Sequence, residues 1–126
     1  IGILLFKISL TGNTTIPICN GGSNTVNFNV YGSKTSDIIN DGQLNRVIVT
    51  LQPVTGKNCM YLDKTDKNGN AILTRVVPGV YKLIIIQKDI DGGKTLCDAY
   101  KDTIEVKSDE DYTIALTNCN NHAFTL

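Results

Sequence analysis

Tryptophan is absent from this chain, histidine and methionine occur once each, and phenylalanine and proline three times each among 126 residues. A stacking platform for sugar rings or nucleobases, which relies on clustered aromatic faces, has little to draw on. Net charge is missing too, because twelve Lys and Arg cancel twelve Asp and Glu. No field of one sign is available to hold a phosphate backbone or an anionic membrane, so neither is expected as a partner. The chain also lacks a long apolar run. Ile1 to Phe6 is interrupted by Lys7, far short of the roughly 20 residues a membrane span requires. It has no small-residue cleavage pattern of a signal peptide either.

Catalytic and metal signatures are equally scarce. His122 is alone in an Asn-rich tail, with no nucleophile placed near it in sequence. No Cys-x-x-Cys pair, nucleophile elbow, P-loop or dinucleotide fingerprint occurs. Asp63 to Gly69 has some look of a calcium loop, but with Gly69 at its sixth position an acid is needed at 64, which is Lys. The expectation is a protein that is not an enzyme and uses no metal or cofactor.

What remains is β-branched residues, Asn and Gly, the composition of strands and turns. Val26, Phe28 and Val30 alternate with Asn27 and Asn29, a half-buried strand. Residues 32–45 read as a polar loop, with one helical turn near Asp37–Ile39. Strands follow over Val47–Gln52, Cys59–Leu62, Ala71–Val77, Val80–Gln87, Ile104–Val106 and Tyr112–Leu116. Asp66-Lys67-Asn68-Gly69 is a hairpin signal, and Pro78-Gly79 fits the central positions of a type II turn. Val80–Gln87 is apolar on both faces and belongs in the middle of a sheet. No stretch of ten or more residues has helical periodicity. The class is all-β, an antiparallel sandwich of seven to eight strands with an extended N-terminal strand.

Cys19, Cys59, Cys97 and Cys119 are even in number and widely spaced, which indicates two disulfides and an oxidising, extracellular setting. Three pairings are open. The favoured one is Cys59–Cys97 in the core and Cys19–Cys119 tying the N-terminal region to the last strand.

Residues 1–18 read as an N-terminal extension and residues 19–126 as the sandwich domain. The chain opens on Ile1 rather than Met, which fits removal of a leader. Leu4, Phe6, Ile8 and Leu10 fall on one side of an extended segment, with Ile3 and Leu5 on the other. So apolar a terminus needs a partner. Gly12–Thr15 and Gly21-Gly22 supply hinges, and Asn13-Thr14-Thr15 is an N-glycosylation acceptor.

Residues 46–117 resemble the prealbumin-like β-sandwich family, which includes carboxypeptidase regulatory-like domains and Cna B-type repeats of surface proteins. The resemblance rests on Val47-Ile48-Val49-Thr50-Leu51, Thr65-Asp66-Lys67-Asn68-Gly69-Asn70-Ala71 and Val77-Pro78-Gly79-Val80-Tyr81-Lys82-Leu83, with the strand pair around Ile104 and Ile114. It implies a transthyretin- or Ig-like fold and is nearly silent on function. Cna B-type domains often join a Lys on the first strand to an Asn on the last. Lys7, Asn118 and Glu105 are the corresponding candidates, but Gln87 stands where that family supplies its assisting acid, which leaves the stapling to disulfides.

Two functions suit these features. The first is a structural subunit of a surface filament or pilus, a homopolymer in which Ile3, Leu4, Leu5, Phe6, Ile8 and Leu10 form a strand donated head-to-tail to the next copy. Burying the four side chains of one face contributes about 1.5–3 kcal/mol each before ordering costs. The second is a ligand- or carbohydrate-binding accessory module of a larger secreted protein. Tyr31, Tyr61, Tyr81, Tyr100 and Tyr112 are scattered along the chain, which favours the first. The competing reading of the N-terminus is an internal first strand of its own sandwich.

Overall fold

The structure, a computed structural model, describes residues 5–7 and 15–126, with side chains from Ile16 onward. Two short strands, β1 (Leu5–Lys7) and β2 (Thr15–Pro17), pair antiparallel as a ribbon. Eight strands then build the body: β3 (Asn24–Gly32), β4 (Gly42–Gln43), β5 (Val47–Pro53), β6 (Tyr61–Lys64), β7 (Asn70–Val76), β8 (Gly79–Gln87), β9 (Tyr100–Val106) and β10 (Glu110–Leu116). One 3-10 turn, Asn121–Phe124, follows.

The body is a β-sandwich. One sheet runs β6-β5-β8-β9. In the other, β10 lies parallel to one edge of β3, while β7 and β4 share its other edge, β7 along Asn24–Asn29 and β4 at Tyr31–Gly32. That second sheet is therefore one column narrower than the first. Alternation explains the core: Val26, Phe28 and Val30 face Val47, Val49, Leu51, Leu83 and Ile85, all at most 1% exposed. Val80–Gln87 is central, as its apolar pattern requires, between β5 and β9.

Strand directions define two poles. One gathers the β3–β4 loop, the β6–β7 turn, the β8–β9 loop and the C-terminal turn. The other gathers β2, the β5–β6 loop and the β7–β8 and β9–β10 turns. Each pole carries one disulfide, Cys19–Cys59 at the second and Cys97–Cys119 at the first.

This corrects the favoured pairing of Cys59 with Cys97 and of Cys19 with Cys119. Local backbone bonds decide the partners: Cys19 N–H donates to Met60 O at 2.9 Å, and Met60 N–H to Pro17 O at 3.1 Å. At the other pole Asp98 N–H bonds Thr117 O and Asn120 N–H bonds Leu96 O, both at 2.9 Å, which sets Cys97 beside Cys119.

Four further expectations change. The sandwich is not wholly antiparallel, since β3 and β10 pair in parallel. Asp66–Gly69 makes a tight turn, with Asp66 Oδ1 accepting from Asn68 N–H at 2.9 Å and Asn70 N–H at 3.0 Å, but it joins strands of opposite sheets rather than a hairpin. Gly79 is not in the left-handed region that a type II turn demands; it opens β8. Asp37–Ile39 is not helical, because the Ser33 and Thr35 hydroxyls bond the Asp37 carbonyl and bend the loop instead.

Candidate functional site

The N-terminal ribbon, at the second pole, is the first element to place. Leu5 and Phe6 lie in β1, opposite Pro17 and Ile16 of β2. Among the described residues the ribbon belongs to neither sheet of the sandwich, and it is linked to the body by the Met60 N–H bond to Pro17 O, the bridge between Ile18 and Met60 and the Cys19–Cys59 disulfide. Ile3, Leu4, Ile8, Leu10 and Asn13 lie outside the described residues. The described core is built by β3 to β10 and the C-terminal turn, and the reading of residues 1–10 as an internal sandwich strand falls mostly on residues outside those described.

The second element is the flank where the β9–β10 turn crosses between sheets. Both outer strand edges here, β9 in one sheet and β10 in the other, pair with no further strand among the described residues. Tyr100, Ile104 and Tyr112 line this flank and are only partly buried against the core. The Tyr112 ring stacks on Phe28, with centroids 5.3 Å apart, and its hydroxyl donates to Glu110 Oε1 at 2.8 Å. Burial, then the Glu110 carboxylate and the charge of Asp102, push the Tyr112 phenol up to about 12. Tyr100 is raised in the same way by burial and by Asp102. Reading the tyrosines as scattered missed that the fold sets Tyr61 edge-on against Tyr81, with centroids 5.8 Å apart, and places Tyr100 and Tyr112 on the two strands of this flank. The signal available was the alternation Tyr100-x-Asp102-x-Ile104, in a segment read as strand only from Ile104.

The two edges are not equivalent. On β9, Asp102 shares the inward-facing side with Tyr100 and Ile104 yet is itself exposed, as are Lys101, Thr103 and Glu105. Inward and edge charges of this kind oppose further strand addition. The outer edge of β7 is covered differently. Asp63 of β6 accepts from Ile72 N–H at 2.8 Å, and the Tyr61 hydroxyl accepts from Val77 N–H at 3.0 Å and donates to Arg75 O at 3.2 Å. β10 carries its charges at its first two positions, Glu110 inward and Asp111 outward, and none from Tyr112 to Leu116.

The third element is an open concavity of about 410 Å³ on the outer face of the β10-β3-β7 sheet. Asn27, Asn29, Asn70, Asp111 and Thr113 supply its polar lining, and Ile72 an exposed apolar side chain. Its polar groups already pair with one another: Asn27 Nδ2 with Asp111 Oδ1 at 2.8 Å, and Asn29 Nδ2 with Asn70 Oδ1 at 2.7 Å. Tyr31 shares this outer face with Asn27 and Asn29 by alternation along β3 but is not part of the lining.

The remaining candidates have structural surroundings. His122 is exposed in the 3-10 turn, with Nδ1 3.2 Å from the Thr125 hydroxyl. Asn118 has a φ of 54° and its amide donates to Asp98 Oδ2 at 2.7 Å, so its amide is engaged away from Glu105, which lies beside Lys107. Among the described residues no group of three or more metal-ligating side chains converges. No described helix is long and apolar enough to cross a membrane.

No protein-family model and no curated sequence matches the chain. Solved structures that share its fold include the following two. A candidate carbohydrate-binding protein from Pseudomonas aeruginosa superposes with a TM-score of 0.54 at 17% identity, over 79% of this chain and 91% of that one. The major pilin subunit of Bacillus cereus superposes with a TM-score of 0.54 at 18% identity. That match takes in 82% of this chain but only 32% of the pilin, so the chain spans about a third of that protein's length. The β-sandwich is shared with both; at these identities the likeness is one of fold.

Proposed function

We propose that this chain is the subunit of an extracellular filament, a non-catalytic protein that polymerises head-to-tail through its N-terminal arm. Residues 1–18 are the arm and residues 19–126 the body, with a glycan acceptor at Asn13 in the hinge. The observation that carries the reading is the separateness of β1. Among the described residues, β1 pairs only with three residues of β2 and belongs to neither sheet of the body. A two-stranded ribbon of this size is marginal alone. Exchanging it for a longer edge on another copy therefore costs little and buries the apolar face of the arm. Two disulfides, one per pole, suit an oxidising exterior and a subunit under tension. The fold shared with a pilin is in keeping with this role.

Electron microscopy of the full chain beside a chain lacking residues 1–12 tests the proposal. Filaments from the first and dispersed monomers from the second are expected. Monomers from both, with the shortened chain merely less stable, would refute it.

A second reading, a carbohydrate-binding module, is favoured by the concavity lined by Asn27, Asn29, Asn70 and Asp111 and by the described role of the Pseudomonas neighbour. Binding of neutral oligosaccharides that is lost on substituting Asn29 and Asn70 by Ala would support it over the filament.

A further inference from the structure

From the open flank we infer that the arm of one copy adds to the outer edge of β10 in the next, with Lys7 set against Asp111. The assignment rests on the filament proposal and specifies its acceptor surface. Among the described residues the two sheets have four outer edges; those of β6 and β7 meet through Asp63 and Tyr61, which leaves β9 and β10 to compare. The β9 edge carries Asp102 on its inward-facing side. The β10 edge, Glu110–Leu116, pairs with no further strand among the described residues, in the sheet that is one column short. A strand placed there restores equal width and covers Tyr112, Ile104 and Tyr100, the side chains that the body leaves partly open.

Side-chain parity then fixes the faces. If Leu4, Phe6, Ile8 and Leu10 point into the sandwich, Lys7 points outward, on the same face as Asp111, Thr113 and Ala115. Asp111 is the one charged residue of that outward set and is exposed, with Oδ2 left over from its bond to Asn27. Lys7 is the one charge in the first ten residues. Opposite charges facing each other across strands stabilise the pair, and like charges oppose it. The pairing places Phe6 and Ile8 beside Glu110 and Tyr112, whichever direction the added strand runs.

The test is a charge exchange read as the critical concentration for filament assembly. Lys7→Asp alone and Asp111→Lys alone each turn an attraction into a repulsion and should raise that concentration about tenfold. The doubly exchanged chain should return to within about threefold of the original. Equimolar mixing of the two single variants should also restore assembly, because each arm then meets an edge of opposite charge. Thermal unfolding of Asp111→Lys checks that the body remains folded. Filaments of the unmodified chain that are indifferent to both single substitutions would overturn the edge assignment and leave the filament proposal standing. Single variants that assemble poorly and are rescued neither by the double exchange nor by mixing would also overturn it. No filaments from the unmodified chain would overturn both.

Discussion

Gln87 Nε2 donates to the carbonyl of Ala123 at 3.0 Å and to that of Asn45 at 2.9 Å, from a side chain with no exposed surface. One buried amide thus ties the C-terminal turn and the start of β5 to the end of the central strand. Gln87→Leu keeps the volume and orphans two buried carbonyls. Each such loss costs about 1–3 kcal/mol, so a fall in Tm of roughly 10 °C is expected by calorimetry. An unchanged Tm would mean that water reaches the turn.

The disulfides close loops of 40 and 22 residues. In the chain-entropy account each contributes about 3–4 kcal/mol, slightly more for the longer loop. Replacing Cys97 and Cys119 together by Ser should loosen the C-terminal turn, and replacing Cys19 and Cys59 the base of the arm. Peptide mapping without reduction should recover Cys19 with Cys59 and Cys97 with Cys119; any other pairing contradicts the fold.

Burial raises the phenols of Tyr81, Tyr112 and Tyr100 above the ordinary 10.0. Their stabilisation is complete below the unfolded value, near pH 10, and is lost as pH rises through the folded values. Stability to denaturant should therefore be flat from neutral pH to about 9 and fall between 10 and 12. Phenolate absorbance from these three should appear late in an alkaline titration. Tyr112→Phe should flatten the decline.

Gly69 has a φ of 81°, and a Cβ added there would lie 2.5 Å from the carbonyl oxygen of Val30. Gly69→Ala should lower stability by about 2 kcal/mol or more, because neither the left-handed backbone nor the contact can relax without moving the β6–β7 turn. Gly56→Ala, at a φ of 80° with nothing near its Cβ, should cost only the backbone strain.

Much of the fold was legible in the sequence because alternation and turn residues are local signals. Val26-x-Phe28-x-Val30 became a strand buried on one face as its pattern implies, and Val80–Gln87 became a central strand, though only its Tyr81, Leu83, Ile85 and Gln87 face is buried. Partner choice was not legible, since it is set at long range. Nothing in Asp66–Gly69 says that its two strands part to opposite sheets, and nothing near Ile114 says that its neighbour Val30 runs parallel. Cysteine pairing failed for the same reason, being decided by backbone bonds at Met60 and Leu96. Gln87 was noticed only as a departure from a family pattern, and its role depends on a 3-10 turn no periodicity announces. The arm stood out by its alternation, whereas the open flank of Tyr100, Ile104 and Tyr112 needed the crossing of β9 to β10.

Amide hydrogen exchange, compared between assembled and dissociated full-length chain, tests the central claim most directly. Assembly through a donated arm should add protection at residues 3–10 and along Glu110–Leu116, and leave β7 and β9 as they are in the dissociated chain. Protection gained at the loops of the two poles alone, with the arm and β10 exchanging as before, would contradict it.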